Sequence, residues 1–143
     1  KIWRDRGRAK TKRLYASVRT SDGFWWPAIQ TNVPNSPSKT IAGALPDGRI
    51  YLIGNLVTGH DQVKYDKRDP LVVALSWDGM NFDWAAAIRH NAPPLRFSEL
   101  RAPGYAYPSA VVADDALWVI YSIGKEDVAV SRVPLADLTS GTE

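Results

Sequence analysis

The sequence predicts an all-β fold built from repeated β units, chiefly because one phrase occurs twice. Residues 20–26 (TSDGFWW) and 76–82 (SWDGMNF) each give a hydroxyl residue, then Asp-Gly, then an aromatic residue three positions on. Each copy follows an apolar run with strand character, Leu14 to Val18 or Pro70 to Leu75. The two aspartates are 56 residues apart. That spacing is slightly longer than one β-propeller blade of ~40–50 residues, and such periods indicate repeated β units.

The chemistry of this phrase fits a tight turn at the end of a strand. Ser, Thr and Asp side chains hydrogen-bond backbone N–H groups of a turn, and Gly accepts a positive φ without a Cβ clash. The aromatic ring can then pack back over the hairpin. We therefore predict a structural role for eight residues: Thr20, Asp22, Gly23, Trp26, Ser76, Asp78, Gly79 and Phe82.

The rest of the chain alternates strand candidates with turn signals. Residues 40–44 and 49–55 are joined by Leu45-Pro46-Asp47-Gly48, and residues 82–89 are compatible with a weak helix or a strand. Three later candidates are separated by Asp114-Asp115 and Gly124-Lys125: residues 105–113, 116–123 and 127–133. The predicted organisation is a basic segment (1–13), half a blade (14–30), a full blade (38–90) and a partial last blade (105–135).

Composition narrows the class of protein. The chain has 45% hydrophobic residues, no cysteine and no apolar run long enough to span a bilayer, so we expect a globular domain without disulfides or a membrane span. Residues 1–13 hold seven of the 18 basic residues, which makes the high pI a property of one end. That end could contact nucleic acid, but such runs are more often solvated and no nucleic-acid motif is present.

The length of the chain is short for a closed ring of such units. Six units of this period would need more than twice the 143 residues present, and two to three blades would expose unpaired strand edges. We therefore expect an incomplete propeller, with further N-terminal blades or another chain covering the open edges.

The repeated phrase resembles the Asp-box, or bacterial neuraminidase repeat, of the sialidase superfamily. Residues 42–51, 70–76 and 105–122 are similar to bacterial sialidase-like proteins with such repeats, and residues 125–135 resemble the end of such a domain. The resemblance implies a six-bladed β-propeller in which the Asp-box is a structural turn remote from the active face. For active members it implies hydrolysis of terminal sialic acid, a carbohydrate partner, no cofactor, no metal, and an extracellular or periplasmic location.

The resemblance also implies a tyrosine nucleophile, and Tyr107 matches its position just before Pro108-Ser109. A neutral phenol approaches the anomeric carbon of sialic acid without the repulsion that an anionic nucleophile would meet from the sugar carboxylate. Arg68 is the first candidate to bind that carboxylate, because a guanidinium matches it bidentately and stays charged. Ordinary packing of the tyrosine and a solvated arginine are the competing interpretations.

Two positions depart from the sialidase pattern. Lys39 stands where the resemblance places the glutamate that activates the tyrosine, and Asn55 stands where it places an arginine. Both remain candidate substrate-binding residues, but a protonated lysine cannot accept a proton. Glu99 and Glu126 are the glutamates near the later strands. A non-catalytic carbohydrate-binding or scaffolding propeller is therefore the alternative to a hydrolase.

Other kinds of site find little support in the sequence. The two histidines, His60 and His90, form no metal-ligand spacing, and no glycine-rich phosphate loop is present. We expect Arg49 to point outward after its turn. Structural packing is the expected role of most tryptophans, including Trp25, Trp26, Trp77 and Trp118.

Overall fold

The computed structural model describes residues 1–3, 13–34, 38–56, 68–97 and 103–139. Most of the basic segment, residues 4–12, lies outside these ranges. The described residues form strands and one short helix. The elements are β1 Ile2–Trp3, β2 Arg13–Ala16, β3 Ile29–Pro34, β4 Ile41–Ala44, β5 Ile50–Gly54, β6 Leu71–Ser76, β7 Trp84–Arg89, β8 Tyr105–Ala113, β9 Ala116–Ile123, β10 Asp127–Pro134 and α1 Leu135–Thr139.

The strands form three antiparallel sheets of the meander type. The first sheet has the order β1-β2-β3, the second β4-β5-β6-β7 and the third β10-β9-β8. Strand β1 lies in the predicted basic segment, where the sequence signals no strand, because two residues are too few for a pattern. The helical option for residues 82–89 is wrong: Trp84–Arg89 pairs with β6, with Trp84 opposite Leu75 and Ala85 opposite Ala74.

The second sheet is the middle layer of a three-layer stack, and its two faces fill two separate cores. Leu52 and Ala74 pack with Leu14 and Val33 of the first sheet. The opposite face meets the third sheet in a larger core that includes Ile53, Val73, Leu75, Leu117, Val119 and Tyr121. Strand β6 is therefore buried along its whole length, which explains why its sequence LVVALS is apolar without strict alternation.

The turn between β4 and β5 corrects the expectation for Arg49. Gly48 has φ +93° and donates its N–H to the Leu45 carbonyl at 3.0 Å, which closes the predicted turn. Arg49 is only 5% exposed rather than outward-facing. Its guanidinium binds the Asp47 carboxylate at 2.7 Å and donates to the Leu138 carbonyl at 2.9 Å. The arginine thus ties helix α1 to the second sheet, a long-range contact that the local pattern does not contain.

The second copy of the repeated phrase is a closed turn centred on Asp78. Its Oδ1 accepts the backbone N–H groups of Met80 at 2.7 Å and Asn81 at 2.8 Å, and the Ser76 hydroxyl at 2.9 Å. The Ser76 hydroxyl oxygen in turn accepts the Gly79 N–H at 2.8 Å, and Gly79 has φ +74°. Phe82, 9% exposed, packs in the core between the first and second sheets.

The first copy has the same turn but a different environment. Thr20 donates to the Asp22 carboxylate, and Gly23 has φ +92° and donates to the Thr20 carbonyl at 3.0 Å. The aromatic residue of this copy, Trp26, is 57% exposed and meets Phe24 edge-on at 5.9 Å. The predicted turn is therefore present twice, but only Phe82 is packed against a neighbouring sheet in the described part of the chain.

The Asp78 turn predicts an acid-sensitive contribution to stability. Hydrogen bonds from the backbone N–H groups of Asn81 and then Met80 lower the pKa of Asp78 to about 2. Because this folded-state pKa lies below the unfolded value of about 3.9, the contribution is complete above about pH 4 and is lost as pH falls towards 2. Asp78→Asn should be less stable than wild type in urea unfolding near neutral pH, and the difference should narrow below pH 4.

Asp83→Asn, at an exposed aspartate just after the same turn, is the matched control and should leave the neutral-pH stability unchanged. A gap between wild type and Asp78→Asn that stays constant from neutral pH to pH 2 would contradict the assigned role of the carboxylate.

Candidate functional site

Tyr107 lies near the start of β8, at an irregularity in the sheet. The register between β8 and β9 shifts between Ala106 and Ser109, and Tyr107 adopts φ +55° there. A positive φ is costly for a residue with a Cβ, and such outliers concentrate at functional sites. The bulge turns the ring outward, and Tyr107 is 50% exposed although its neighbours Tyr105 and Ala106 are buried.

Arg68 reaches this tyrosine because the chain entering β6 pairs with the chain entering β8. Arg68 and Gly104 form an isolated parallel bridge, in which Tyr105 donates its N–H to the Arg68 carbonyl at 2.7 Å. Gly104 has φ +150°, and a Cβ on it would lie 2.5 Å from the Arg68 Cβ. The close backbone approach therefore needs a glycine at this position.

Two cations face the Tyr107 ring. The Arg68 guanidinium carbon and the Lys125 ammonium nitrogen each lie 5.5 Å from the ring centre, within the range of cation–π contacts. The structure thus brings together Tyr107 and Arg68, which the sequence had proposed on separate grounds. It adds Lys125, which lies in the turn between β9 and β10.

The pairing of β8 with β9 would have predicted from the sequence that Lys125 lies near Tyr107. The hairpin centred on Asp114-Asp115 places Ile123 opposite Tyr105. The next two residues after Ile123 are Gly124 and Lys125, so they must lie beside the start of β8. Gly124 indeed donates its N–H to the Gly104 carbonyl at 2.8 Å.

The cations change the acidity of the phenol. Hydrogen bonding to Arg68 first, and then to Lys125, lowers the pKa of Tyr107 below the usual value for a phenol, and the two positive charges act in the same direction. By contrast, burial raises the pKa of Tyr51 in the second sheet. The two cations therefore make the Tyr107 phenol more acidic than a free tyrosine.

Glu126, one of the candidate glutamates, is engaged elsewhere. Its carboxylate accepts the backbone N–H groups of Arg96 and Phe97, each at 2.9 Å, and these bonds lower its pKa. The group holds the 96–97 segment against the β9–β10 turn. Glu99, the other candidate, lies outside the described residues, as does His60.

Of the two residues that depart from the sialidase pattern, Asn55 is buried and Lys39 is exposed. Asn55 is fully buried, accepts a hydrogen bond from the Ser38 hydroxyl at 2.7 Å and donates to the Pro70 carbonyl at 2.9 Å. Both bonds join segments next to β4, β5 and β6, so the described contacts of Asn55 are structural. Lys39 is exposed on the segment before β4. The substrate-binding roles of Asn55, Lys39 and Arg68 and the catalytic role of Tyr107 stay predictions.

The expectation of structural packing is wrong for three of the named tryptophans, Trp25, Trp26 and Trp77, which are exposed. Trp26 is more than half exposed, and so is Trp77, whose ring centre lies 5.7 Å from the Arg49 guanidinium. Turn positions carry these rings outward, whereas Trp84 on β7 is partly buried against the larger core.

The described residues show neither a metal-binding cluster nor a membrane-spanning helix. Within them no cluster of three or more histidine, aspartate or glutamate side chains is placed to hold a metal ion. The same part of the chain contains no helix that is long and apolar enough to cross a membrane.

Gly104→Ala tests the backbone approach that joins Arg68 to the tyrosine. A Cβ at Gly104 would meet both the side chain and the backbone of Arg68, so the substitution should lower the free energy of unfolding and move Arg68 away from Tyr107. Gly48→Ala is the matched control, because Gly48 also has a positive φ but its Cβ would meet no atom within 4 Å. Gly48→Ala should lower the free energy of unfolding only by the strain of a Cβ at positive φ, about 1–2 kcal/mol.

Urea unfolding and the pH titration of Tyr107 are the two measurements. Equal stability losses for the two variants, with the Tyr107 titration unchanged in Gly104→Ala, would show that this approach does not position Arg68.

Comparison with known proteins places the chain in a family. A family model described as BNR repeat-like domain matches residues 2–120. Searches of the curated proteins and of the solved structures gave no match. The match covers the first two sheets and most of the β8–β9 hairpin, including all three Asp-Gly turns, Arg68 and Tyr107. The chain therefore belongs to the BNR repeat-like domain family, and its fold is of the β-propeller type.

Proposed function

We propose that this protein is a sialidase-like glycoside hydrolase that acts on a terminal sugar carrying an anionic group, with sialic acid as the first candidate. The observation that carries the proposal is the placement of the Arg68 guanidinium 5.5 Å from the ring centre of the exposed Tyr107. Membership of the BNR repeat-like domain family supports it. An extracellular or periplasmic location is part of the same proposal.

In the proposed reaction Tyr107 is the nucleophile. Its oxygen attacks the anomeric carbon, the bond from that carbon to the leaving oxygen breaks, and the leaving oxygen takes a proton. Water then cleaves the sugar–tyrosine bond and restores the phenol. Arg68 would bind the anionic group of the sugar. The resemblance places the aspartate that supplies the proton on an earlier blade, away from the residues described here.

The lowered pKa of Tyr107 supports this role, because a more acidic phenol releases its proton more readily as its oxygen attacks. A carboxylate base would then be less necessary. This would offset the presence of Lys39 at the position where the resemblance places a glutamate.

A non-catalytic carbohydrate-binding propeller is the second candidate. Asn55 stands where the resemblance places an arginine, and its amide is occupied by Ser38 and Pro70 inside the protein. A site with one arginine fewer could bind a glycan without turning it over. Saturable glycan binding by a protein that hydrolyses no glycoside would favour this candidate.

Tyr107→Phe separates the two candidates. It removes only the phenol oxygen, so hydrolysis of a fluorogenic sialoside should fall by about 10³-fold or more, as for loss of a group that acts directly in the reaction. Tyr15→Phe, at a half-buried tyrosine of the first sheet, should keep the activity. Circular dichroism should show that both variants fold. Full activity in Tyr107→Phe would rule out this nucleophile.

We also propose partners for the two outer faces of the stack, those of the first and third sheets. Phe82 of the second sheet is buried against the first sheet, whereas Trp26 at the equivalent place in the first sheet is exposed. On the far side of the third sheet, four apolar side chains are exposed on neighbouring strands: Val111, Ile120, Val128 and Val130. Exposed apolar patches of this kind indicate contact surfaces. We propose that further antiparallel sheets, from additional blades or another chain, cover both faces.

Val130→Lys in the intact protein tests this covering. Val130 lies opposite Ile120 in the sheet, so a lysine there would enter an apolar interface and should cost about 3 kcal/mol, as an unpaired buried charge does. Asp83→Lys, at an exposed turn position, should change the stability by no more than about 0.5 kcal/mol. Equal and small effects of both lysines on thermal unfolding would mean that the face is open to solvent.

A further inference from the structure

Lys125 faces the same tyrosine as Arg68 but comes from a different sheet. Arg68 precedes β6 of the second sheet, whereas Lys125 lies in the turn that follows β9 of the third sheet. We propose that Lys125 is a second anion ligand of the site, which binds together with Arg68 an oxyanion carried by the sugar. Because this role concerns the same site, it rests on the function proposed above, but it requires binding only and no turnover.

The backbone fixes Lys125 at this place. Gly124 and Lys125 are the central residues of a turn, with φ +61° and +62°, that is closed by the Glu126 N–H donating to the Ile123 carbonyl at 2.9 Å. Such turns favour glycine or asparagine at both central positions, because a longer side chain is strained at positive φ. A lysine here has a conformational cost, which a role for its ammonium group would explain.

The carboxylates next to the two cations in the described chain make contacts of their own. Asp127 binds the Arg96 guanidinium at 2.6 Å, and Glu126 accepts the backbone N–H groups of Arg96 and Phe97. Asp69, next to Arg68, accepts the Ala92 N–H at 2.8 Å. The acidic side chains next in sequence to the two cations, Asp69 and Glu126, therefore accept hydrogen bonds from other chain segments.

The chemistry of the three groups defines the ligand. Two cations from separate sheets can each donate to a different oxygen of one anion, and charge-assisted bonds of this kind are about twice as strong as neutral ones. Tyr107 is half exposed beside them, so a sugar ring can reach the phenol while its anionic group binds the cations. A carboxylate and a sulfate ester share this chemistry, and the probes below distinguish them.

Binding of small probes tests the role without relying on hydrolysis. Glucuronate and glucose 6-sulfate carry an oxyanion, and glucose is their neutral counterpart. Titrations followed by the NMR signals of the Tyr107 ring should show saturable binding of at least one anionic probe and much weaker binding of glucose. Lys125→Met should raise the Kd of that probe about 10-fold or more, the effect of losing one charged hydrogen bond, whereas Lys125→Arg should largely retain binding.

Arg132→Met is the matched control for net charge. Arg132 pairs with Trp118 and stacks on it, 5.9 Å from its ring centre, towards the end of β9 that lies away from the Lys125 turn, so its removal should leave probe binding unchanged. Wild-type affinity in Lys125→Met, an equal loss in Arg132→Met, or no preference for the anionic probes over glucose would each overturn the proposal. Probe binding that depends on Lys125 in a protein that hydrolyses no glycoside would refute the proposed hydrolase but support this anion site.

Discussion

The candidate site depends on one backbone contact between two sheets. The Tyr105 N–H donates to the Arg68 carbonyl at 2.7 Å, and Gly104 makes this approach possible because it has no Cβ. On the other side, the Gly104 carbonyl accepts the Gly124 N–H at 2.8 Å. Three chain segments that are far apart in sequence are thereby held side by side. Arg68, Tyr107 and Lys125 are the side chains that these segments bring together.

The rest of the fold supports this contact by burying the sheets against each other. The second and third sheets share a core of aliphatic side chains in which Tyr105 and Tyr121 meet edge-on at 5.7 Å. Arg49 adds a connection from the second sheet to helix α1. The Asp78 turn ends β6 at the opposite end from Arg68 and so takes no part in the site. The same strand therefore carries a structural turn at one end and a candidate functional residue at the other.

Sequence reasoning predicted the strands well because local patterns define them. The apolar run from Leu71 to Leu75 and the turn at Leu45-Pro46-Asp47-Gly48 need no knowledge of distant residues. It failed where a long-range contact decides the outcome. Arg49 is buried because helix α1 offers it a carbonyl, and Trp26 is exposed because none of the described sheets covers it.

The sequence predicted only part of the candidate site, because the rest depends on how distant strands pair. Tyr107 came from the resemblance, which compares sequences position by position, and Arg68 came from the need of the substrate carboxylate for a guanidinium. Lys125 begins the stretch that resembles the end of such a domain, but the resemblance gives it no role, and its place at the site follows from the pairing of β8 with β9 and the resulting position of the next turn. The burial of Asn55 could not be predicted from local sequence either, because its partners Ser38 and Pro70 are 17 and 15 residues away in the chain.

The central claim is that two cations from different sheets act on the Tyr107 phenol. The most direct test is an NMR titration of the protein with all tyrosines labelled at the ring carbon that bears the hydroxyl. Tyr107 should ionise at a lower pH than a free tyrosine, and buried Tyr51 at a higher pH. Lys125→Met should move the Tyr107 titration back towards the usual value. A Tyr107 signal that titrates like free tyrosine in the wild-type protein would contradict the account.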